Sequence, residues 1–390
     1  MHLLFATSIV PDGGLASGYE IANAAIIAAL RRTGARVTVL GFTWPGRSAA
    51  DPENTLVLGP IDVRTENASS LQKLAWAGNA LLSGLTFASV KLRIVSETDV
   101  VAAVERAGPV DFYILNSVQF AGAFEKLFGD RPSIFIAHNV EHLSALENAA
   151  AAPGIFQRLL FRREARLLET MEERLCRRAR FVFTLAEDDR AALGVASADR
   201  SAVLPLVTDA KAPTVKSPRR IDCDAALIGT WTWQPNRIGL DWFLDKVVPR
   251  LRPDFRIRIA GDVPSGVTTA HPGVAFVGRV PDAQAFVRGA AVIPLISTAG
   301  SGVQLKTIET FELGLPSVAT SHSLRGIDHR PSNCVVTDDP ATFAEALEAA
   351  AADIRDVDGA VFHRRQLAAL DAAIGIGLRK LARARQEAFS

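Results

Sequence analysis

The sequence is short of cysteine, of net charge and of long apolar runs, and each shortage excludes something. Three cysteines in 390 residues, Cys176, Cys223 and Cys334, stand far apart. They have no metal-ligand spacing, which excludes a zinc framework and fits structural thiols in a reducing compartment. Lys and Arg number 43 against 42 Asp and Glu, so no global field draws the chain to nucleic acid. The opening MHLLFATSIVPDGG has no basic leader, and its apolar part is too short for a secretory signal. It is expected to form a first strand. The uncharged stretch Leu74 to Val90 contains Asn79, Ser83, Gly84 and Thr86 and falls short of the roughly 20 residues of a membrane span. A buried helix and a following loop are expected there, rather than a membrane-inserted hairpin. No P-loop, HExxH, GxSxG or GxGxxG occurs.

What is present is an alternation of short apolar strands with helical patterns, in a chain long enough for two domains with cores of their own. His2 to Val10 reads as a strand, Tyr19 to Arg32 as a helix and Ala35 to Phe42 as a second strand. The Gly13–Gly14 loop then lies at the carboxyl end of the first strand of a βαβ unit. Strands follow at Val110–Asn116 and Ser133–His138. The second ends in Ala137-His138-Asn139-Val140-Glu141, which puts His138 at a strand tip, where open α/β sheets place ligands. Gln157 to Arg180 reads as a long basic helix with a solvated charged face and an inward stripe including Leu159, Leu160, Leu167, Leu168, Met171 and Leu175. Its arginines also suit contact with anionic lipid heads.

Between Lys211 and Arg220 the pattern breaks into Pro, Lys and small polar residues, as linkers do. The expected organisation is a first domain over 1–207, a linker over 208–220, a second domain over 221–370 and a closing helix over 371–390. The second domain repeats the opening of the first, with a strand at Ala225–Gly229, the loop Thr230-Trp231-Thr232-Trp233-Gln234-Pro235-Asn236 and a helix from Arg237 to Leu251. Asp222-Cys223-Asp224 is a DxD but precedes its strand, away from the ligand side, so no metal role is expected for it.

The stretch with the sharpest chemistry is Gly300-Ser301-Gly302-Val303-Gln304-Leu305-Lys306-Thr307-Ile308-Glu309. It follows a buried strand from Ala290 to Ile296 and runs into a helix ended by Gly314 and Pro316. Leu305, Ile308, Phe311 and Leu315 make its inward face, while Gly302, Lys306 and Glu309 share a second stripe. A helix start bared by two glycines suits an anion. Lys306, about one turn in, adds a point charge. Glu309, roughly 10 Å along at about 1.5 Å per residue, could accept hydrogen bonds from the two hydroxyls of a ribose. The same spacing also suits a surface helix with one solvated lysine and one solvated glutamate.

The run GSGVQLKTIETFELGLPSVAT resembles the donor-site segment of GT-B glycosyltransferases, in the large family-4 group of retaining enzymes. That resemblance implies an α/β fold of two Rossmann-like domains facing each other across a cleft, with the last helix crossing back to the first domain. In that family two glutamates separated by seven residues hold the sugar and the ribose. Glu309 matches the second and Ser301 stands where the first would fall, as in members that carry a lysine at the position of Lys306. The resemblance implies donor binding by Gly13, Gly14, Thr230, Arg279, Ser301, Gly302, Val303, Lys306 and Glu309. It gives His138 and Lys306 catalytic roles and Glu141 a contact with acceptor or sugar. The HNVE segment and a G-S/T-x-x-W-x-P-N signature at Gly229–Asn236 carry it into both halves.

The function so implied is transfer of a sugar from a UDP- or GDP-type nucleotide-sugar to an acceptor hydroxyl. It would proceed with retention, without metal or cofactor, in bacterial polysaccharide or glycoconjugate synthesis. The implied partners are the donor and a saccharide or lipid-linked acceptor, in the cytoplasm or at the cytoplasmic membrane face. A nucleotide-sugar epimerase and a non-catalytic nucleotide-sugar-binding protein are the alternatives.

Overall fold

The computed structural model describes residues 1–14, 18–63, 68–129, 131–208, 210 and 219–389, with backbone alone for 384–389. Most of the expected linker, residues 209 and 211–218, thus lies outside the described residues. The chain divides into two units, one of Met1–Leu206 together with Ala369–Ser390 and one of Val207–Ala368.

The first unit is a parallel sheet of β1 (His2–Ile9), β2 (Arg36–Thr43), β3 (Thr55–Pro60), β4 (Phe112–Asn116), β5 (Ser133–Ala137), β6 (Phe181–Thr184) and β7 (Ser201–Val203). Its order is β3-β2-β1-β4-β5-β6-β7. The central strands are apolar on both faces, as a sheet covered twice requires, and Leu3, Leu4, Phe5, Phe135 and Phe181 are fully buried. The helices are α1 (Gly18–Arg32), α2 (Ser70–Ser83), α3 (Phe87–Leu92), α4 (Glu97–Arg106), α5 (Val118–Ala123), α6 (Glu141–Ala151), α7 (Ile155–Arg178) and α8 (Glu187–Ala192).

Two expectations for this unit are corrected. The stretch from Leu74 is not a buried helix followed by a loop. Ala80 is the one buried residue of α2, and Leu71, Leu74, Leu81 and Leu82 are 58% exposed or more. Gly84 ends α2 in the left-handed region, and α3 begins under the Thr86 cap. Nor is the charged side of α7 wholly solvated. Glu164 and Glu172 are buried. Glu172 accepts from the N–H groups of Glu141 and His142 and pairs with His142 Nδ1 at 2.6 Å. A carboxylate at an otherwise uncapped helix start satisfies orphan donors and opposes the helix dipole.

The second unit has the parallel strands β8 (Cys223–Ile228), β9 (Ile257–Ala260), β10 (Val274–Gly278), β11 (Ala290–Leu295), β12 (Ser317–Ala319) and β13 (Cys334–Val336), in the order β10-β9-β8-β11-β12-β13. Its helices are α9 (Gln234–Trp242), α10 (Ala283–Arg288), α11 (Leu305–Glu312), α12 (Pro340–Ala352) and α13 (Gly359–Phe389). The expected helix to Leu251 stops at Trp242 and continues as a π turn and a 3₁₀ turn around Pro249, because proline cannot donate to a regular helix. From Ala369 onward α13 groups with the first unit. There Asp371 pairs with Arg32 and Lys380 with Asp199, each at 2.6 Å.

Counted from the unit's own first strand, both orders begin 3-2-1-4-5-6, with a seventh strand at the edge of the first unit, which is the doubly wound Rossmann arrangement. Each therefore has one switch point, between its first and fourth strands, where the connections leave on opposite sides. The fold class is α/β with two parallel-sheet domains.

Candidate functional site

In the second unit the switch point lies between β8 and β11, and a pocket opens there. Its walls include Ile228 and Trp231 beyond β8, Asn236 and Gly239 of α9, Leu295 and Ser297 at the end of β11, and Gln304, Lys306, Thr307 and Glu309 of α11. The inward face of α11 is as the periodicity predicts, with Ile308, Phe311 and Leu315 buried. That burial turns Lys306 and Glu309 together into the pocket.

The start of the helix differs from expectation. Gly300 and Gly302 have φ of 98° and 76°, a left-handed backbone that an α-helix cannot contain. The chain therefore curls through 300–304, and the first helical residue is Leu305. Lys306 stands in the first turn, not a turn along, and Glu309 is about 6 Å from the helix start at about 1.5 Å per residue. Ser301 and Val303 are half-buried in the curl. The carbonyl of Gly302, itself buried, accepts from Arg325 Nε at 3.5 Å.

Lys306 points its ammonium over the ring of Trp231, 5.2 Å from the centroid. A Cβ on Gly229 would come within 2.8 Å of that ammonium, so glycine there makes its room. No hydrogen bond or ion pair holds Nζ among the described residues. Burial lowers its pKa to about 8, against the attraction of Glu309. Glu309 is raised by burial, and its Oε1 accepts from Gln284 Nε2 at 3.0 Å. A desolvated cation resting on an indole face and a carboxylate held by a neutral amide are poised for an anion and for hydroxyls. At its far end α11 is tied down by buried Glu312, which accepts from the Thr208 N–H and pairs with His363 Nδ1 at 2.9 Å.

Of the residues expected to bind the donor in this unit, Lys306 and Glu309 line the pocket, and Ser301, Gly302, Val303, Thr230 and Arg279 do not. Thr230 is exposed, and its carbonyl accepts from Asn236 Nδ2 at 3.0 Å. Arg279 is exposed and engaged with Asp262 through both nitrogens of its fork, Nε–Oδ1 being 2.8 Å. Asp222 and Asp224 stand at the amino end of β8 beside Arg220 and Arg256, and among the described residues no cluster of His, Cys, Asp or Glu suits a metal. Trp231 and Gln284 were not anticipated. The signature around Gly229 pointed at Thr230, while Gln284 comes from α10 and no spacing within one element exposes it.

In the first unit the switch point lies between β1 and β4. His138, just past β5, is 8% exposed, and its Nε2 lies 2.8 Å from Asn116 Oδ1 at the end of β4. Burial lowers its pKa to about 4, so the ring is neutral at pH 7. Tyr19 of α1 packs on the same ring at 4.9 Å. Glu141, the first residue of α6, is raised by burial and by nearby Glu172 and accepts from Gln119 Nε2 at 3.1 Å. Gly13 and Gly14 are exposed in the loop after β1, Gly13 with φ of 81°. The Gly14 N–H donates to Asp12 Oδ1 at 2.7 Å, so it serves the turn itself.

Residues 224–353 match the family described as glycosyl transferases group 1. No curated protein matches the chain in sequence. Among solved structures, a sucrose-phosphate synthase from Thermosynechococcus elongatus superposes with a TM-score of 0.63 at 14% identity, covering 100% of both chains. The catalytic domain of starch synthase IV from Arabidopsis thaliana, bound to ADP and acarbose, gives 0.57 at 12% identity over 98% of this chain and 99% of that one. HepE of Anabaena, in complex with UDP, gives 0.54 at 16% identity over 100% of both. The chain has the GT-B fold of these glycosyltransferase structures, and its residues 224–353 are similar to the glycosyl transferases group 1 family.

Proposed function

We propose that the chain transfers a sugar from a nucleoside-diphosphate donor to an acceptor hydroxyl. The observation that carries this is the pocket at the second switch point, where Lys306 and Glu309 stand on one wall with Trp231 and Gln284 fixing them. The diphosphate takes the positive end of α11 and the ammonium of Lys306, and Glu309 accepts from the ribose hydroxyls. When the sugar leaves, charge develops on the phosphate, and a preorganised cation in a desolvated wall stabilises that charge most. HepE in complex with UDP supports a UDP-type donor for the same fold, with GDP the second choice.

We assign His138 and Glu141 of the first unit to the sugar substrates. Retention and independence of metal follow from the same reading, with Lys306 supplying the charge a metal would bring. Chelator is expected to leave turnover unchanged. Thermal-shift screening against UDP-, GDP- and ADP-sugars, followed by turnover with labelled donor, tests the assignment. Binding without transfer or hydrolysis would replace the enzyme by a sensor.

The same reading takes a lipid-linked acceptor in polysaccharide or glycoconjugate synthesis, because of the surface formed by α2 and the start of α7. Leu71, Leu74, Leu82, Ile155, Phe156 and Leu159 are 58% exposed or more there. Arg163 Nη2 donates to the Ala80 carbonyl at 2.6 Å and joins the two helices. Segments 68–96 and 151–163 contain no acidic residue, while Lys73, Arg158 and Arg162 are exposed. Apolar side chains rimmed by cations suit the cytoplasmic face of an anionic bilayer. No helix among the described residues is long and apolar enough to cross one. Co-sedimentation with anionic vesicles that is lost in Leu82→Glu/Phe156→Glu is the expected result; equal binding to neutral vesicles would contradict it.

A further inference from the structure

Adjacent residues of α7 hold the two arms of the break between α2 and α3. Arg163 Nη2 donates to the Ala80 carbonyl, near the end of α2, at 2.6 Å. Glu164 Oε1 accepts from the N–H of Phe87, the first residue of α3, at 2.8 Å. Between these anchors Gly84 takes the chain through the left-handed region. The exposed leucines of α2 ride on the first arm, so the pair sets that surface against α7. Glu164 is 8% exposed and follows directly on a segment, 151–163, with no acid of its own.

Glu164 Oε2 is buried without a hydrogen-bond partner among the described residues. A carboxylate buried with a bare oxygen is costly. A carboxylic acid in the same place keeps Oε1 as acceptor for the Phe87 N–H and carries its proton on Oε2, which removes the charge. Burial accordingly raises this group to about 7, against the Phe87 N–H, Arg163 and Lys91. Lys91 of α3 donates to the Val63 carbonyl at 2.8 Å and lies over the Trp76 ring of α2. The one ionisable side chain of α2 is the exposed Lys73, and α5 has none. On α6, Glu141 is held by Gln119 and His142 by Glu172, and Glu147 is the remaining acid.

We propose that Glu164 is a proton-operated latch beneath the membrane-facing surface. Neutral, it holds α3 beside α2 on α7 and leaves the surface with the cations Lys73, Arg158 and Arg162 alone. Ionised, it loosens that hold and sets a negative charge under the surface. Folding takes up a proton between 4.5 and about 7, so the support this group gives the fold is complete below 4.5 and is lost as pH rises through 7. An anionic bilayer attracts cations and favours the same neutral form. The membrane half of this proposal rests on the reading of the surface as a bilayer contact; the titration of Glu164 does not.

The two halves are tested apart. Carboxyl ¹³C shifts of the full chain labelled with ¹³C-glutamate, with Glu164 identified by its loss in Glu164→Gln, give the titration directly. A midpoint near 7 is expected, and one at the ordinary 4.5 would overturn the proposal whatever the membrane does. Co-sedimentation with vesicles of equal parts phosphatidylglycerol and phosphatidylcholine is then compared at pH 6 and pH 8. Wild type should bind about fivefold more tightly at pH 6, the worth of one charge at an anionic surface. Glu164→Gln should bind equally at both, at the level of wild type in acid. A wild type indifferent to pH, or a folded variant that keeps the dependence, would overturn the latch. The wild-type comparison can do so even if the variant does not fold. No binding at either pH, with the midpoint near 7, would instead remove the bilayer reading and the membrane half with it.

Discussion

The two units share one strand order and part company at its reversal. In the first, the crevice between β1 and β4 is backed by Thr7, Asn23 and Asn116, neutral groups that satisfy one another and hold a neutral histidine. In the second, the crevice between β8 and β11 exposes a cation and a carboxylate whose partners are an indole face and a side-chain amide. On the proposed reading, one fold serves two recognitions. Hydrogen bonds suit sugar hydroxyls, and a poised charge suits a diphosphate. The contrast shows why topology locates a site without saying what binds there.

The largest effect should come from removing the charge that distinguishes the second crevice. Lys306→Ala is expected to cut turnover about 10²-fold or more, as loss of a preorganised donor does, with little change in fold. An unchanged rate would erase the contrast. Gly229→Ala should come next, because its methyl would lie 2.8 Å from the ammonium and 3.1 Å from the Trp231 ring and would push the lysine tip aside. The displaced ammonium should appear as weaker nucleotide binding, measured by calorimetry. Gln284→Leu should follow with about a tenfold loss of donor affinity, since Glu309 loses its positioning amide.

The smallest effects are in stability against pH, and they have opposite windows in the two units. Lys306 is lowered to about 8 from an ordinary 10.5. Folding then releases a proton between those values, so stability rises with pH from about 8 to about 10.5. His138 is lowered to about 4 from 6.5. Its neutral burial is harmless above 6.5 and costs stability as pH falls from 6.5 towards 4. Melting temperatures of Lys306→Met and His138→Leu should lose the alkaline rise and part of the acid fall, respectively. If both variants altered the same window, the assignment of charge states would be wrong.

The second crevice was more legible in the sequence than the first. Lys306 and Glu309 are three residues apart on one helix, and apolar Ile308 and Phe311 say which way that helix turns. The helix start was misplaced because Gly300 and Gly302 read as a bared first turn, whereas their left-handed backbone excludes them from it. Gln284 and Trp231 stayed hidden because they reach the site from other elements. His138 was visible at its strand tip, but the hydrogen bonds behind it join residues separated by up to 109 positions. No local pattern encodes that juxtaposition. The strands β3 and β7 were missed as well, β7 being three residues long. The leucines of α2 suggested burial by composition, and only the fold reveals that they are exposed.

A crystal of the full chain soaked with UDP at millimolar concentration tests the central assignment most directly. The account predicts the diphosphate against Lys306 and the start of α11, with the ribose hydroxyls on Glu309. Nucleotide bound elsewhere, or no nucleotide bound, would contradict it.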